Sequence, residues 1–171
     1  MVVRAADDTA APDRAELILR ARARLALDKR RGARDLRTFC RVYQPKYRDA
    51  PHLSHLDDAL DASLERLRQR GRVGIIVLEA PPRHFKTSRI MAHMARLLRH
   101  VAGASVAYCT YAGDIAKRRS RNVRDLAARA GVWVGELQTT AQRFDPSKSV
   151  SFWQTDSGGQ FVAGGRHGQF V

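Results

Sequence analysis

Cysteine is scarce in this chain of 171 residues: Cys40 and Cys109 stand far apart, with no C-x-x-C spacing. That argues against a thiolate zinc site and a disulfide framework, and it fits a reducing compartment. Cys109 lies in an apolar run and is expected to be a small buried residue. Long hydrophobic runs are also missing. None approaches the roughly 20 residues that cross a bilayer. Residues 1–13 carry Asp7, Asp8 and Asp13 and lack the apolar centre of a signal peptide, so neither a membrane span nor export is expected. Acidic residues are few as well, 17 against 31 Lys and Arg, which leaves a net charge of +14. A polyanion is the partner such a charge suits, and most of the cations are Arg, the side chain that grips phosphate bidentately. An Arg-rich, GC-biased genome would produce the same composition without any partner.

What is present begins with 44% hydrophobic residues, enough for one domain with a real core. The stretch that organises the chain runs from Gly74 to Ser88. Four aliphatic residues, Ile75 to Leu78, read as a strand buried on both faces, and Pro81-Pro82 then forces a turn. From Lys86 the period becomes helical. Ile90, Met91, Met94, Leu97, Leu98 and Val101 form an apolar stripe, with Arg89, His93, Arg96 and Arg99 expected largely off it. Strand, tight loop, Lys-Thr and helix is the order of a phosphate-binding loop. In such a loop the N–H groups at the helix start hold phosphate oxygens, the Lys reaches the β- and γ-phosphates, and the hydroxyl takes Mg²⁺. Against G-x-x-x-x-G-K-[ST], however, Ala80 and Phe85 stand where glycines belong. A bulky residue held left-handed costs about 1–2 kcal/mol. The local pattern is shared by any strand–loop–helix turn with a chance Lys-Thr.

Before that stretch, residues 13–31 read as a basic helical arm with a ragged apolar stripe, Leu17, Ile18, Leu19, Leu25 and Leu27, and the cations Arg20, Arg22, Arg24, Lys29, Arg30 and Arg31. Gly32 ends it. Phe39, Val42 and Tyr43 open a short apolar segment. A second helix follows, capped by Ser54, with Asp57 and Asp58 near its start, a buried stripe of Leu56, Leu60, Leu64 and Leu67, and a terminal Gly71. His52 and His55 find no third ligand of metal-site spacing. Beyond the loop helix, residues 104–110 read as a second buried strand, parallel to the first through a right-handed crossover. The next helix has Asp114 as its cap and Ile115, Val123, Leu126, Ala127 and Ala130 inward. Lys117, Arg118, Arg121 and Arg124 face mainly outward. Val150, Phe152 and Phe161 suggest short strands joined through Gly158-Gly159.

Taken together, several stretches resemble one family, the large subunit of tailed-phage terminases, the motor that drives DNA into the capsid. Pro81-Pro82-Arg83-His84-Phe85-Lys86-Thr87 is similar to that family's variant loop, in which the residue before Lys is often not glycine. His55 and the Leu-rich helix ending at Gly71 sit where the family has a similar His and helix. Thr110-Tyr111 through Ile115-Ala116, followed by Ser120-Arg121-Asn122-Val123-Arg124, resembles Ser-Tyr-x-x-x-Leu-Ala and Ser-Arg-x-x-Arg. Trp153-Gln154-Thr155 with Gly158-Gly159 and the glycines 164, 165 and 168 resembles the family's glycine-rich hairpin.

The resemblance implies an α/β fold, a partial P-loop NTPase with a three-layer, parallel-sheet core, N-terminal helices and a C-terminal glycine-rich β-hairpin region. It divides the chain into a partly disordered basic arm, residues 1–38, and the N-terminal portion of an ATPase domain, residues 39–171. It implies ATP and Mg²⁺ as cofactors, with Pro82, His84, Phe85, Lys86, Thr87 and Ser88 binding the nucleotide, Thr87 holding Mg²⁺, and Arg83 acting on the γ-phosphate. Implied partners are double-stranded DNA, the terminase small subunit, the capsid portal and further copies of the chain, in the host cytoplasm, with no membrane. The family's hydrolytic acidic pair is not evident: Glu136 and Asp156 have no acidic neighbour, and the expected motif would follow Val171, so the chain reads as truncated before it and before the nuclease domain. The competing expectation is a non-enzymatic basic DNA-binding remnant with a relic loop.

Overall fold

The structure, a computed structural model, describes residues 14–44, 46–49, 51–71, 75–77, 79, 81, 84–132, 134–135 and 150–165. In chain order it contains α1 (Arg14–Arg31), α2 (Leu36–Tyr43), a 3-10 turn (Pro51–Leu53), α3 (Ser54–Arg70), α4 (Lys86–His100) and β1 (Ser105–Thr110). There follow α5 (Gly113–Arg129), β2 (Val134–Gly135), β3 (Phe152–Thr155) and β4 (Gln160–Gly165). The fold is mixed α/β. Among the described residues no helix is long and apolar enough to cross a membrane.

Local chemistry sets most helix ends. Gly32 follows α1, its N–H bonded to the Asp28 carbonyl, and the Asp35 carboxylate then caps α2 by accepting the Arg37 N–H at 2.9 Å. Gly71 ends α3 in the left-handed region at φ 63, as its position in the sequence suggests. Two expected caps are corrected. Ser54 is already the first residue of α3, which begins after Leu53, and Asp114 lies in the first turn of α5 behind Ala112. Neither helix start carries a side-chain cap bond, and of the two only the Asp114 carboxylate complements the helix dipole.

The sheet is mixed, in the order β1-β4-β3-β2. β3 and β4 form the expected antiparallel hairpin, turning through Gly158 at φ 77, and β1 runs parallel to β4 with Val106 opposite Phe161 and Tyr108 opposite Ala163. The same face carries Trp153, whose ring stacks on Phe161 at 4.9 Å and whose Nε1–H donates to the buried Ser120 hydroxyl of α5 at 2.9 Å. That bond satisfies a buried donor and fixes how α5 lies on the sheet. At the end of β4 a Cβ on Gly165 would come within 2.5 Å of the Gly113 nitrogen, so only glycine lets the strand end meet the start of α5.

Three strand expectations are corrected. Ile75, Ile76 and Val77 lie outside the sheet and are 95%, 39% and 80% exposed, while Leu78 lies outside the described residues. The parallel partner of β1 is therefore β4. β1 itself is half-buried on one face, through Val106, Tyr108 and Thr110, and exposed on the other at Ser105, Ala107 and Cys109, so Cys109 is an outward-facing residue. The physical reason is common to all three. An aliphatic run reports a demand for burial, but parallel strands are covered on both faces only when helices pack on both.

α4 departs from its expected amphipathic character. Met91, Ala92, Ala95 and Leu98 are buried, but so are Arg89, His93 and Arg96, at 2%, 6% and 0% exposure. The helix packs against α5 and β1 and also against α2 and α3. Its cationic face is tolerated in the interior because α3 supplies carboxylates: Asp57 lies 3.2 Å from Arg89, and Asp61 lies 2.5 Å from Arg96 and also faces the Leu36 N–H.

Burial also holds His93 neutral, with a pKa lowered to about 3 and Arg96 pushing the same way. His100 is lowered to about 4 by burial, then by Arg99, Arg68 and Arg96. In the unfolded chain both imidazoles take up protons near pH 6.5. The unfolded state therefore binds more protons between that value and the folded pKa, and stability falls as pH drops through this window, by up to about 1.4 kcal/mol per pH unit for each group. Melting curves at about pH 7 and about pH 5 should show a lower Tm at the acid end, and His93→Gln should flatten the difference. A Tm that does not move would mean that the imidazoles are not buried neutral.

Candidate functional site

The site expected from the sequence lies at the start of α4. Pro82 and Arg83 are outside the described residues, as is Glu136. His84 is exposed, and its ring meets that of His52 edge-on at 5.2 Å, which ties the loop to the 3-10 turn before α3. Phe85 then takes φ 58 and ψ 5, the left-handed region, and is the one non-glycine residue at positive φ among the described residues. This is the backbone shape for which the loop pattern normally uses glycine, held here by a 54% exposed phenylalanine. Lys86, Thr87 and Ser88 form the first turn and are partly buried, and the backbone N–H of Arg89 bonds the Phe85 carbonyl at 3.1 Å. The turn has no acidic residue and no side-chain cap bond. A helix start of this composition favours an anion.

A cavity of about 500 Å³ opens beside this turn. Phe85, Ser88 and Arg89 form one wall, residues 44 and 46–48 a second, and Asn122, Asp125 and Arg129 of α5 a third. Gln44 joins the first two walls, its Nε2 donating to the Ser88 carbonyl at 3.4 Å. Arg89 is held on several sides. Its Nη2 donates to the Tyr47 hydroxyl at 3.0 Å, its guanidinium carbon lies 4.6 Å from the Tyr47 ring centroid, and its Nε faces Asp57. Asp57, 1% exposed, also takes Arg37 Nε at 3.2 Å. Burial pushes the Asp57 carboxyl up, against the pull of Arg89 and Arg37; burial likewise raises Tyr47, and raises the neighbouring Cys40 thiol to about 11, which keeps it protonated.

Of the site residues expected from the sequence, Phe85 and Ser88 reach the cavity wall, and Lys86 and Thr87 stand between them along the same turn. The sequence reading missed Tyr47, Arg89, Asn122 and Asp125. One signal was available: Asp57 and Asp61 sit a helical turn apart beside the Leu56–Leu60–Leu64 stripe, where carboxylates need cationic partners. Nothing local marked Tyr47. Among the described residues no group of three or more His, Cys, Asp or Glu side chains could hold a metal, and Asp156 is exposed in the turn between β3 and β4.

No family model matches this chain, and neither the curated proteins nor the solved structures contain a match to it.

The left-handed Phe85 is testable by itself. Phe85→Gly should retain or raise stability, whereas Phe85→Val, a β-branched residue in the same conformation, should lower it by about 1–2 kcal/mol relative to glycine. Denaturant melts of the two variants measure the difference. Equal stabilities would mean that the backbone relaxes away from the left-handed region.

Proposed function

We propose that the chain is the ATP-binding part of a DNA-packaging motor of the terminase large-subunit kind, built on a P-loop. The observation that carries this reading is Phe85, left-handed directly before Lys86-Thr87 at the head of an uncapped helix with no acid in its first turn. The donor set suits a triphosphate. The first-turn N–H groups and the Lys86 ammonium offer donors and positive charge, and the adjoining cavity leaves room for the rest of a nucleotide. Thr87 is the residue that would offer its hydroxyl to Mg²⁺, which when bound neutralises charge between the β- and γ-phosphates. Arg83, Pro82 and His84 take their roles from the resemblance alone. The reading rests on the loop and the cavity, since Ile75–Val77 form no strand before the loop.

DNA is the proposed macromolecular partner, with the small subunit, the portal and further copies of the chain as the assembly partners this reading entails. Exposed Lys117, Arg118 and Arg121 on α5, and Arg20, Arg22 and Arg24 on α1, support the contact with DNA. The same exposure favours a second reading, a basic DNA-binding protein whose loop takes no nucleotide.

The two readings part on nucleotide. Mg²⁺-ATP at about 100 times its Kd should stabilise the wild-type chain by roughly 2.7 kcal/mol, a rise of several degrees in Tm, and Lys86→Ala should remove the rise. An equal rise in both proteins would take the loop out of the account, and no rise in either would leave the second reading standing. DNA affinity, in turn, should be indifferent to sequence and fall with salt at a slope of about 0.9 per phosphate neutralised. A salt-independent affinity would exclude both.

A further inference from the structure

We propose that the cavity beside α4 holds a nucleoside, its flat base against Tyr47, and that Asp57 is a positioning residue that fixes Tyr47 through Arg89. This deepens the nucleotide reading and rests on it. The cavity begins at Phe85 and Ser88, so phosphates seated on the first turn of α4 would lead the rest of a nucleotide into it. Its volume, about 500 Å³, suits a ligand of that size. Its lining matches a base as well: aromatic and aliphatic surface from Tyr47, Phe85, Met91 and Leu126 offers a face to stack on, while Asn122 and Asp125 offer edge hydrogen bonds.

Tyr47 belongs to the irregular segment between α2 and the 3-10 turn, where a side chain is ordinarily free to change rotamer. Here the ring is clamped. Arg89 covers part of it at 4.6 Å and bonds its hydroxyl at 3.0 Å, and Arg89 in turn is anchored 3.2 Å from Asp57 on a different helix. Arg89 and Asp57 are 2% and 1% exposed, and two ions so deeply buried cost more than an apolar pair of equal volume would. What they provide in the wall of a cavity is a ring set in place before the ligand arrives, which spares the ligand the entropy of ordering it. Tyr47 itself is half-buried and lines the cavity, so the ring surface that Arg89 leaves uncovered is available to a base.

Affinities of the full chain for ATP, inorganic tripolyphosphate and adenosine, measured by titration calorimetry, test the proposal. Wild type should bind ATP more tightly than tripolyphosphate. Tyr47→Ala should weaken ATP about tenfold, abolish adenosine binding and leave tripolyphosphate unchanged. Tyr47→Phe, which keeps the ring but loses the hydroxyl contact, should show a smaller loss. Asp57→Asn should reproduce the selective loss for ATP and adenosine and add nothing in a Tyr47→Ala background, because it acts through that ring; a purely structural role would weaken tripolyphosphate as well. If Asp57→Asn fails to fold, the Tyr47 variants carry the test of the pocket, and Arg89→Lys, which loses the flat guanidinium but keeps the charge, carries the test of the clamp with the same expected pattern. Adenosine binding that survives Tyr47→Ala, or equal affinities of wild type for ATP and tripolyphosphate, would overturn the nucleoside pocket. An Asp57→Asn loss that adds fully to that of Tyr47→Ala would overturn the positioning role. The phosphate loop fails separately: if Lys86→Ala leaves ATP affinity unchanged while adenosine binding still depends on Tyr47, the loop reading falls and the pocket stands.

Discussion

The structure depends on burying one cationic helix face. α4 connects the sheet and α5 on one side with α2 and α3 on the other, and at the second contact Asp57 and Asp61 meet Arg89 and Arg96 beside the apolar core. Removing one member of such a pair leaves an uncompensated charge in the interior, a loss of about 3–5 kcal/mol, comparable with much of a domain's stability. Hydrophobic burial joins α4 both to α5 and to the α2–α3 unit, in one core that includes Leu36, Phe39, Leu56, Leu60, Met91, Ala95 and Leu98. The ion pairs let the charged residues of that face be buried within the same contact.

The same pairs govern the candidate site. Arg89 lies a single residue beyond the first turn of α4, so the group that anchors α3 to α4 also lines the cavity beside that turn. Tyr47 is drawn into the wall by Arg89, and His84 is drawn toward α3 by its contact with His52. Ile75–Val77 remain exposed, and His84 meets the helical unit at His52.

In the sheet, the face toward the helices is the more deeply buried one. Trp153, Phe161 and Ala163 are packed toward the helices, while Ser105, Ala107 and Cys109 of β1 remain outside. Among the described residues, Ser105, Ala107 and Cys109 on one face of β1 and Ile75–Val77 before the loop are exposed.

By itself the sequence determined what short-range chemistry decides. The helices with their glycine stops at Gly32 and Gly71, the inward set of α5, the hairpin through Gly158-Gly159, and the loop–Lys-Thr–helix order at residues 84–88 could all be read from periodicity and turn residues, because neighbours along the chain fix them. Tertiary structure alone decided which faces are inside. Arg89, His93 and Arg96 look like a solvated stripe until Asp57 and Asp61 arrive from about thirty residues away, and Ile75–Val77 look like a core strand until the sheet forms without them. Tyr47 becomes a cavity wall only through an arginine forty-two positions further on. Burial and charge pairing depend on distant partners, and local pattern records the need for a partner but not its location.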